Sequence, residues 1–266
     1  MPRVAMKIAY EGTAFHGEAR QPGLRTVEGE VIQALSRARV IRDGPSSRLQ
    51  SASRTDRGVS ALGNVVAFAT SLAPEACVRS FNAKSRGVWA WAAALVSDDF
   101  NPRRARERWY RYLLPANHDV TRLQSALRVF EGEHDFRNFT RDRTRTISSI
   151  TGVTVGRERD IVTLDFRAPS FRWNLVRRIV AAALQAEKGR ASNANLERAL
   201  GAAARIDFGL APPEPLVLMD VAYDFELLPV RDPTTTSRIL RLAEQRARER
   251  WFTERLEERF LGAPPD

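Results

Sequence analysis

The sequence predicts an α+β protein built as two subdomains of similar size with mainly antiparallel sheets. Three observations lead there. Short runs of apolar residues alternate with period two, longer runs repeat at helical spacing, and Gly, Pro, Asn and Asp clusters separate them. At 266 residues the chain can bury one large core or two smaller ones.

Val4–Tyr10 reads as the first strand, with Val4, Met6, Ile8 and Tyr10 on one face. Glu11-Gly12-Thr13 turns out of it, into a loop containing His16, Gly17, Arg20, Gln21, Pro22 and Gly23. Thr26 is placed to cap a helix whose apolar face is Val27, Val31, Ile32 and Leu35. A loop around Asp56 and a strand over Leu62–Ala69 follow. Val88–Leu95 is another strand, and Asp98-Asp99-Phe100-Asn101-Pro102 closes the first half.

The second half opens on Arg103–Leu114, which alternates in its later part as a strand does. A polar helix near Thr121–Phe130 precedes a loop over Gly132–Arg145, then strands at Thr151–Val155 and Ile161–Phe166. Trp173–Gly189 fits a helix with Val176, Ile179, Val180, Ala183 and Leu184 inward, stopped at Gly189. A small helix near Ala194–Ala203 comes next, and Pro212-Pro213-Glu214-Pro215 turns into a last strand, Leu216–Tyr223. The expected divisions are therefore 1–102, 103–230 and a charged helical tail, 231–266. From Arg231 on, that tail holds eight arginines against seven acidic residues, so the basic excess lies upstream of it.

The formal net charge is +10 and the pI about 10.7. Only three of the 42 basic residues are lysines (Lys7, Lys84 and Lys188). Arginine pairs bidentately with phosphate and stacks on bases, so this balance favours a nucleic-acid partner. A codon bias toward Arg accounts equally well for the Arg/Lys ratio, though not for the positive sign. No run approaches the roughly 18 apolar residues of a membrane span, and Met1–Tyr10 lacks a signal peptide's apolar core. Cys77 is the single cysteine, so no internal disulfide forms and the expected compartment is the cytoplasm. The three histidines (His16, His118 and His134) and Cys77 have no zinc-ligand spacing, and phosphate-loop and dinucleotide fingerprints are lacking. Neither cofactor nor metal is expected.

The stretch Ser53-Arg54-Thr55-Asp56-Arg57-Gly58-Val59-Ser60-Ala61 carries the most chemistry. It sets one carboxylate between two guanidinium groups at a Gly-containing turn that leads into a strand. A neighbouring cation favours the charged form of a carboxylate and orients it, as a nucleophile or general base needs. Taken alone, an Arg-x-Asp in a loop is more often an ion-paired surface aspartate. The longer string, SASRTDRGVSALGNVVAF, resembles the catalytic segment of the TruA-like tRNA pseudouridine synthases, in which Arg-Thr-Asp carries the essential aspartate. The resemblance runs from Val4 to about Phe225.

That resemblance implies the pseudouridine synthase fold, two α+β halves whose sheets join around a basic cleft. It implies tRNA as substrate, targets on the 3′ side of the anticodon stem and loop, and a homodimer. By position, Asp56 is the catalytic residue. Tyr110, in Arg108-Trp109-Tyr110-Arg111-Tyr112, matches the active-site tyrosine of the family's R-x-Y-R-Y strand, and Tyr112 is assigned to structure. Arg177, in Phe171–Val180, matches the arginine that pairs with the aspartate, while Arg178 is expected to face solvent. Phe171 would seal the site. Arg54, Arg57, Arg20 and Gln21 would contact RNA, and Gly132–Phe139 would line the approach to the cleft.

Three departures from the family pattern stand out. Glu18-Ala19 replaces an aromatic-Gln pair and puts a carboxylate where RNA would approach. Ser53 replaces a glycine, and Lys84-Ser85-Arg86-Gly87 replaces an apolar stretch. They motivate a rival reading, a non-catalytic RNA-binding protein or RNA chaperone on the same scaffold. A glycosidase or base-excising glycosylase would use a carboxylate at the same bond, but it wants a second carboxylate and none stands beside Asp56. Isomerised base, no change and released uracil separate the three.

Overall fold

A computed structural model describes residues 2–201 and 205–261. Strand β1 (Arg3–Tyr10) and a 3-10 turn (Gly12–Ala14) lead to helix α1 (Val27–Arg37), then β2 (Gln50–Ser51), β3 (Ser60–Ala69), α2 (Pro74–Asn82) and β4 (Val88–Val96). After them come β5 (Glu107–Pro115), α3 (Val120–Arg128), β6 (Gly132–Asp135), β7 (Ile147–Ile150), β8 (Gly152–Glu158) and β9 (Ile161–Ala168). Helices α4 (Leu175–Glu187) and α5 (Asn193–Ala199), strands β10 (Leu216–Ala222) and β11 (Leu228–Pro229), and helix α6 (Pro233–Leu261) complete the order.

Local chemistry accounts for the helix starts. The Thr26 side chain accepts from Gly29 N, and Asp119 from Arg122 N, so each satisfies an orphan donor of a first turn. Ser192 and Asn195 form a reciprocal capping box on α5, and Pro74 sits in the first turn of α2. Helix α4 begins two residues later than its apolar spacing predicts. Asn174 has φ 64°, in the left-handed region, so Trp173 stays outside the helix.

Residues up to Pro229 form one compact unit. Its backbone is a nine-stranded sheet in the order β11-β4-β1-β3-β10-β5-β9-β8, with β2 on β3; β6 and β7 form a separate ribbon. The expectation of mainly antiparallel sheets needs one amendment, because the main sheet is mixed. Strand β10 runs antiparallel to β5 but parallel to β3, pairing Val217 with Ser60 and Leu218 with Ala61. Burying Leu216 and Leu218 fixes β10 against β5, and its other edge then meets the start of β3. That short parallel contact joins the strands of the two halves into one sheet and brings the 212–215 turn against the Asp56 loop.

Val4, Met6 and Ile8 are fully buried, as are Val31, Leu35 and Phe81 of the helices over β1 and β4. Each such side chain contributes about 1.5–3 kcal/mol of transfer free energy. In the second half, Phe130, Phe136 and Phe139 pack edge to face, and Phe139 stacks on Phe208 at 5.8 Å. The Gly132–Phe139 segment, expected to line the cleft, is therefore a strand followed by core. Its first four residues pair with β7 rather than looping. Thr151 separates β7 from β8 where one strand was expected. The helix expected near 194–203 ends at Ala199, and Ala202 and Ala203 lie outside the described residues.

Residues from Val230 on form a second compact unit, dominated by α6. Asp232 caps α6 by accepting from Thr235 N at 3.1 Å. Arg246–Glu249, Arg250–Glu254 and Arg255–Glu258 pair along it at 3.2, 2.7 and 2.7 Å. No described helix is long and apolar enough to cross a membrane.

Candidate active site

Asp56 sits in the turn between β2 and β3, closed by Val59 N donating to the Asp56 carbonyl at 3.1 Å. Gly58 makes this turn possible. It adopts φ +89°, and a Cβ there would approach Pro213 Cγ to 2.9 Å. Gly12 is a second close approach, since a Cβ would stand 2.2 Å from the Val59 carbonyl oxygen. The Asp56 loop is thus pressed between the first loop and the 212–215 turn.

The guanidinium on Asp56 comes from α4 rather than from its neighbours in sequence. Arg177 Nη1 donates to Asp56 Oδ2 at 3.0 Å across 121 residues. Arg177 is itself braced, with Nε donating to the Ala211 carbonyl at 2.8 Å and its own carbonyl accepting from Ala211 N at 3.2 Å. Its side chain is 12% exposed and that of Asp56 32%, so the pair is largely sheltered while the carboxylate stays reachable. Arg54 and Arg57, expected to flank Asp56, are exposed and form no ion pair with it among the described residues. Arg178, expected in solvent, is half-buried and pairs with Asp207 at 3.0 Å.

Beneath the loop lies a buried polar network. The Tyr10 and Thr55 hydroxyls are 2.9 Å apart, and Asn64 Nδ2 donates to the Tyr10 hydroxyl at 3.2 Å and the Ser53 carbonyl at 2.9 Å. Arg108 completes it. Its Nε donates to Ser53 Oγ, and Nη2 to the carbonyls of Ala52 and Arg103, each at 2.9 Å. Nη1 donates to the Pro169 carbonyl. Arg108 has no carboxylate partner among the described residues, and its guanidinium serves backbone instead. The sequence put Tyr10 on the face shared by Val4, Met6 and Ile8 and Arg108 in the Tyr110 string but assigned neither of them, nor Asn64, a role at the site, although β5 held the signal for one of them. Arg108, Tyr110, Tyr112 and Leu114 alternate inward, so Arg108 is in phase with the buried tyrosines.

Tyr110 is 8% exposed and meets Phe171 edge to face at 5.1 Å. Burial pushes its phenol up to about 12, against the pull of Arg108 and the Ser53 hydroxyl, while Asp56 and Glu18 add to the rise. It is therefore a neutral phenol near pH 7, able to donate or accept. Tyr112 is buried and donates to the Pro212 carbonyl at 3.1 Å.

The first loop is fastened to the Asp56 loop through Glu18. Its N–H donates to the Thr55 carbonyl at 3.0 Å, and its carbonyl accepts from Glu28 N at 2.9 Å. These bonds draw residue 18 inward. The expectation of a carboxylate facing RNA is wrong, for Glu18 is 2% exposed. Burial pushes its carboxyl up to about 7; the Ser51 hydroxyl lowers it, Glu28 raises it, and Arg54 and Arg103 lower it. Glu18 Oε1 has no hydrogen-bond partner among the described residues. Arg20 and Gln21 lie farther out on an exposed turn, where Arg20 N donates to Glu28 Oε2 at 2.9 Å and Gln21 Nε2 to the His16 carbonyl at 2.8 Å. The structure thus brings Asp56, Arg177, Tyr110 and Phe171 into one neighbourhood and leaves Arg54, Arg57, Arg20 and Gln21 exposed. Among the described residues, no group of three or more His, Cys, Asp or Glu is placed to hold a metal ion.

Residues 126–224 match the family model described as tRNA pseudouridine synthase. A tRNA pseudouridine synthase A of Thermococcus sibiricus is 40% identical over 84% of this chain and 85% of its own. That of Pyrococcus abyssi is 40% identical over 93% and 94%, and that of Methanococcoides burtonii 38% over 93% and 90%. A solved chain from a Cbf5-Nop10-Gar1 complex overlaps 66% of this chain and 44% of its own at 13% identity, with a TM-score of 0.33, too low to assign the fold. Identity of 38–40% across most of both chains places the sequence without ambiguity: it belongs to the tRNA pseudouridine synthase A family.

Proposed function

We propose that this chain converts uridine to pseudouridine in the anticodon arm of tRNA, with Asp56 acting at the sugar, Arg177 holding Asp56 and Tyr110 beneath the target base. The observation that carries the reading is the 3.0 Å contact between Arg177 and Asp56, which joins a helix of the second half to a loop of the first.

The reaction breaks the N1–C1′ bond, turns the freed base and forms C5–C1′. The proton on C5 leaves and N1 gains one, so the change balances without oxidant or reductant. Asp56 serves either by attacking C1′, giving a covalent adduct, or by removing the C2′ proton, giving a glycal. Arg177, fixed through Ala211, keeps the carboxylate in one orientation for either route. The Tyr110 ring gives the base a face, its neutral phenol a hydrogen-bonding group, and Phe171 closes one side against water. Exposed Arg54, Arg57, Arg20 and Gln21 suit phosphate and extruded-nucleotide contacts.

In this reading 1–102 and 103–230 are the two catalytic subdomains of a pseudouridine synthase fold around a basic cleft. The enzyme works in the cytoplasm as a homodimer. The test is incubation of unmodified tRNA transcripts with wild-type and Asp56→Ala protein, followed by site-resolved pseudouridine mapping. Pseudouridine in the anticodon arm with the wild type alone supports the reading; pseudouridine elsewhere, or with the variant, overturns it.

A further inference from the structure

Trp173 stands between the two residues that reach the site from this segment, Phe171 on Tyr110 and Arg177 on Asp56. It is 52% exposed, an unusual position for so large a ring unless something covers it. Backbone bonds fix its place. Its carbonyl accepts from Arg141 N and from the Thr140 hydroxyl, each at 3.1 Å, and its N–H donates to Asp142 Oδ2 at 3.4 Å. Left-handed Asn174 then starts α4 and leaves the indole off the helix.

The Arg141 guanidinium lies 4.6 Å from the centre of the Trp173 ring. Arg143 and Arg145 are exposed on the same loop, so the segment that supplies the Arg141 contact carries three arginines against the one carboxylate of Asp142. An apolar protein surface laid over the ring would leave these charges without anions. A nucleotide satisfies both, with a base on the ring and phosphates among the arginines.

We infer that Trp173 and Arg141 form a stacking platform for an unpaired base of the RNA, adjoining the nucleotide that enters the Asp56 site. This rests on the tRNA reading above and adds a second nucleotide subsite to it. The backbone of Trp173 is fixed before RNA arrives, which lowers the ordering cost of its use.

Trp173→Ala and Trp173→Phe test it on an unmodified anticodon stem-loop, read by equilibrium binding and by the kcat and KM of pseudouridine formation. Loss of one stacked base predicts a rise in Kd and KM of about 5- to 150-fold for Trp173→Ala. The kcat should stay within about twofold, and Trp173→Phe should recover most of the loss. A set of stem-loops, each with one abasic site, should contain one on which wild type and Trp173→Ala bind alike. Wild-type-like binding by Trp173→Ala, or a difference that every abasic stem-loop preserves, overturns the platform. An inactive wild type whose binding still depends on Trp173 and on one base keeps the platform and overturns the catalytic reading. An active wild type indifferent to Trp173 does the reverse.

Discussion

Arg108 Nε and the Ser53 hydroxyl are joined at 2.9 Å across 55 residues, which ties the inner face of β5 to the start of the Asp56 loop. The same guanidinium serves three backbone carbonyls, Ala52, Arg103 and Pro169. One side chain therefore sets the spacing between the Asp56 loop and the segment that carries Phe171. Lysine keeps the charge but lacks the planar fork. Arg108→Lys should leave carbonyls unserved and cost about 2–4 kcal/mol, a fall in melting temperature of roughly 4–16 °C. Ser53→Gly removes one hydroxyl, which faces both Arg108 and Tyr110, leaves the three carbonyls served, costs about 1 kcal/mol and should keep turnover. An Arg108→Lys protein that melts with the wild type would show the clamp to be incidental.

Asp56→Asn keeps the shape of the side chain and removes its charge and basicity. Pseudouridine formation should fall below detection, while tRNA affinity stays within about tenfold because phosphate contacts are spread over many residues. Arg177→Lys should lose either the Asp56 contact or the Ala211 brace. Misplacing the carboxylate by an ångström predicts a drop in kcat of about 100-fold with little change in Kd. Single-turnover rates and filter-binding isotherms separate these outcomes, and near-normal turnover by Asp56→Asn would remove it from the chemistry.

Asp56, Tyr110, Phe171 and Arg177 were legible as candidates because each lies in a local string that resembles the family's, whereas residue type alone favoured a surface ion pair or a core aromatic. The Arg108–Ser53 clamp was not, although the alternation that marks Tyr110 and Tyr112 as inward marks Arg108 too. Glu18 read as a loop carboxylate in water, because nothing in Phe15–Gln21 announces that its N–H will bond Thr55. The parallel β3–β10 contact is two residue pairs long and depends on the 212–215 turn, beyond any local pattern. Strands β2 and β11, of two residues each, are too short for a period to register. Local chemistry was visible; long-range docking was not.

Glu18 gives a pH signature. Its folded carboxyl, raised to about 7 from 4.5, holds a proton that the unfolded chain has already released between those values. Stability attributable to this group is therefore greatest below about pH 4.5. It falls as pH rises and is fully lost above about pH 7, a penalty on the order of 3 kcal/mol. Glu18→Gln carries no charge and should escape the fall. Denaturant melts should show the variant more stable than wild type at pH 8, with the gap closing at pH 4.5. Parallel curves for the two proteins across this range would mean that Glu18 is ionised in the folded state.

The excess of positive charge predicts how tRNA affinity responds to salt. Each phosphate neutralised by an arginine releases condensed counterions, so log K should fall linearly with log salt at about 0.7–0.9 per contact. Four contacts would already weaken binding by about 50- to 150-fold between 50 and 200 mM salt. Arg54 and Arg57 are exposed on the Asp56 loop and form no ion pair with Asp56 among the described residues. Arg54→Ala and Arg57→Ala should each reduce the slope by about one, whereas Asp56→Asn, which removes no cation, should leave it intact. Fluorescence anisotropy of labelled tRNA over a salt series measures all four slopes. A flat line for the wild type would argue against a basic RNA-binding cleft, and unchanged slopes for both arginine variants would move the phosphate contacts to other arginines. Because Arg177 already holds Asp56 from α4, losing either loop arginine should weaken tRNA capture while leaving kcat at saturating tRNA near the wild-type value.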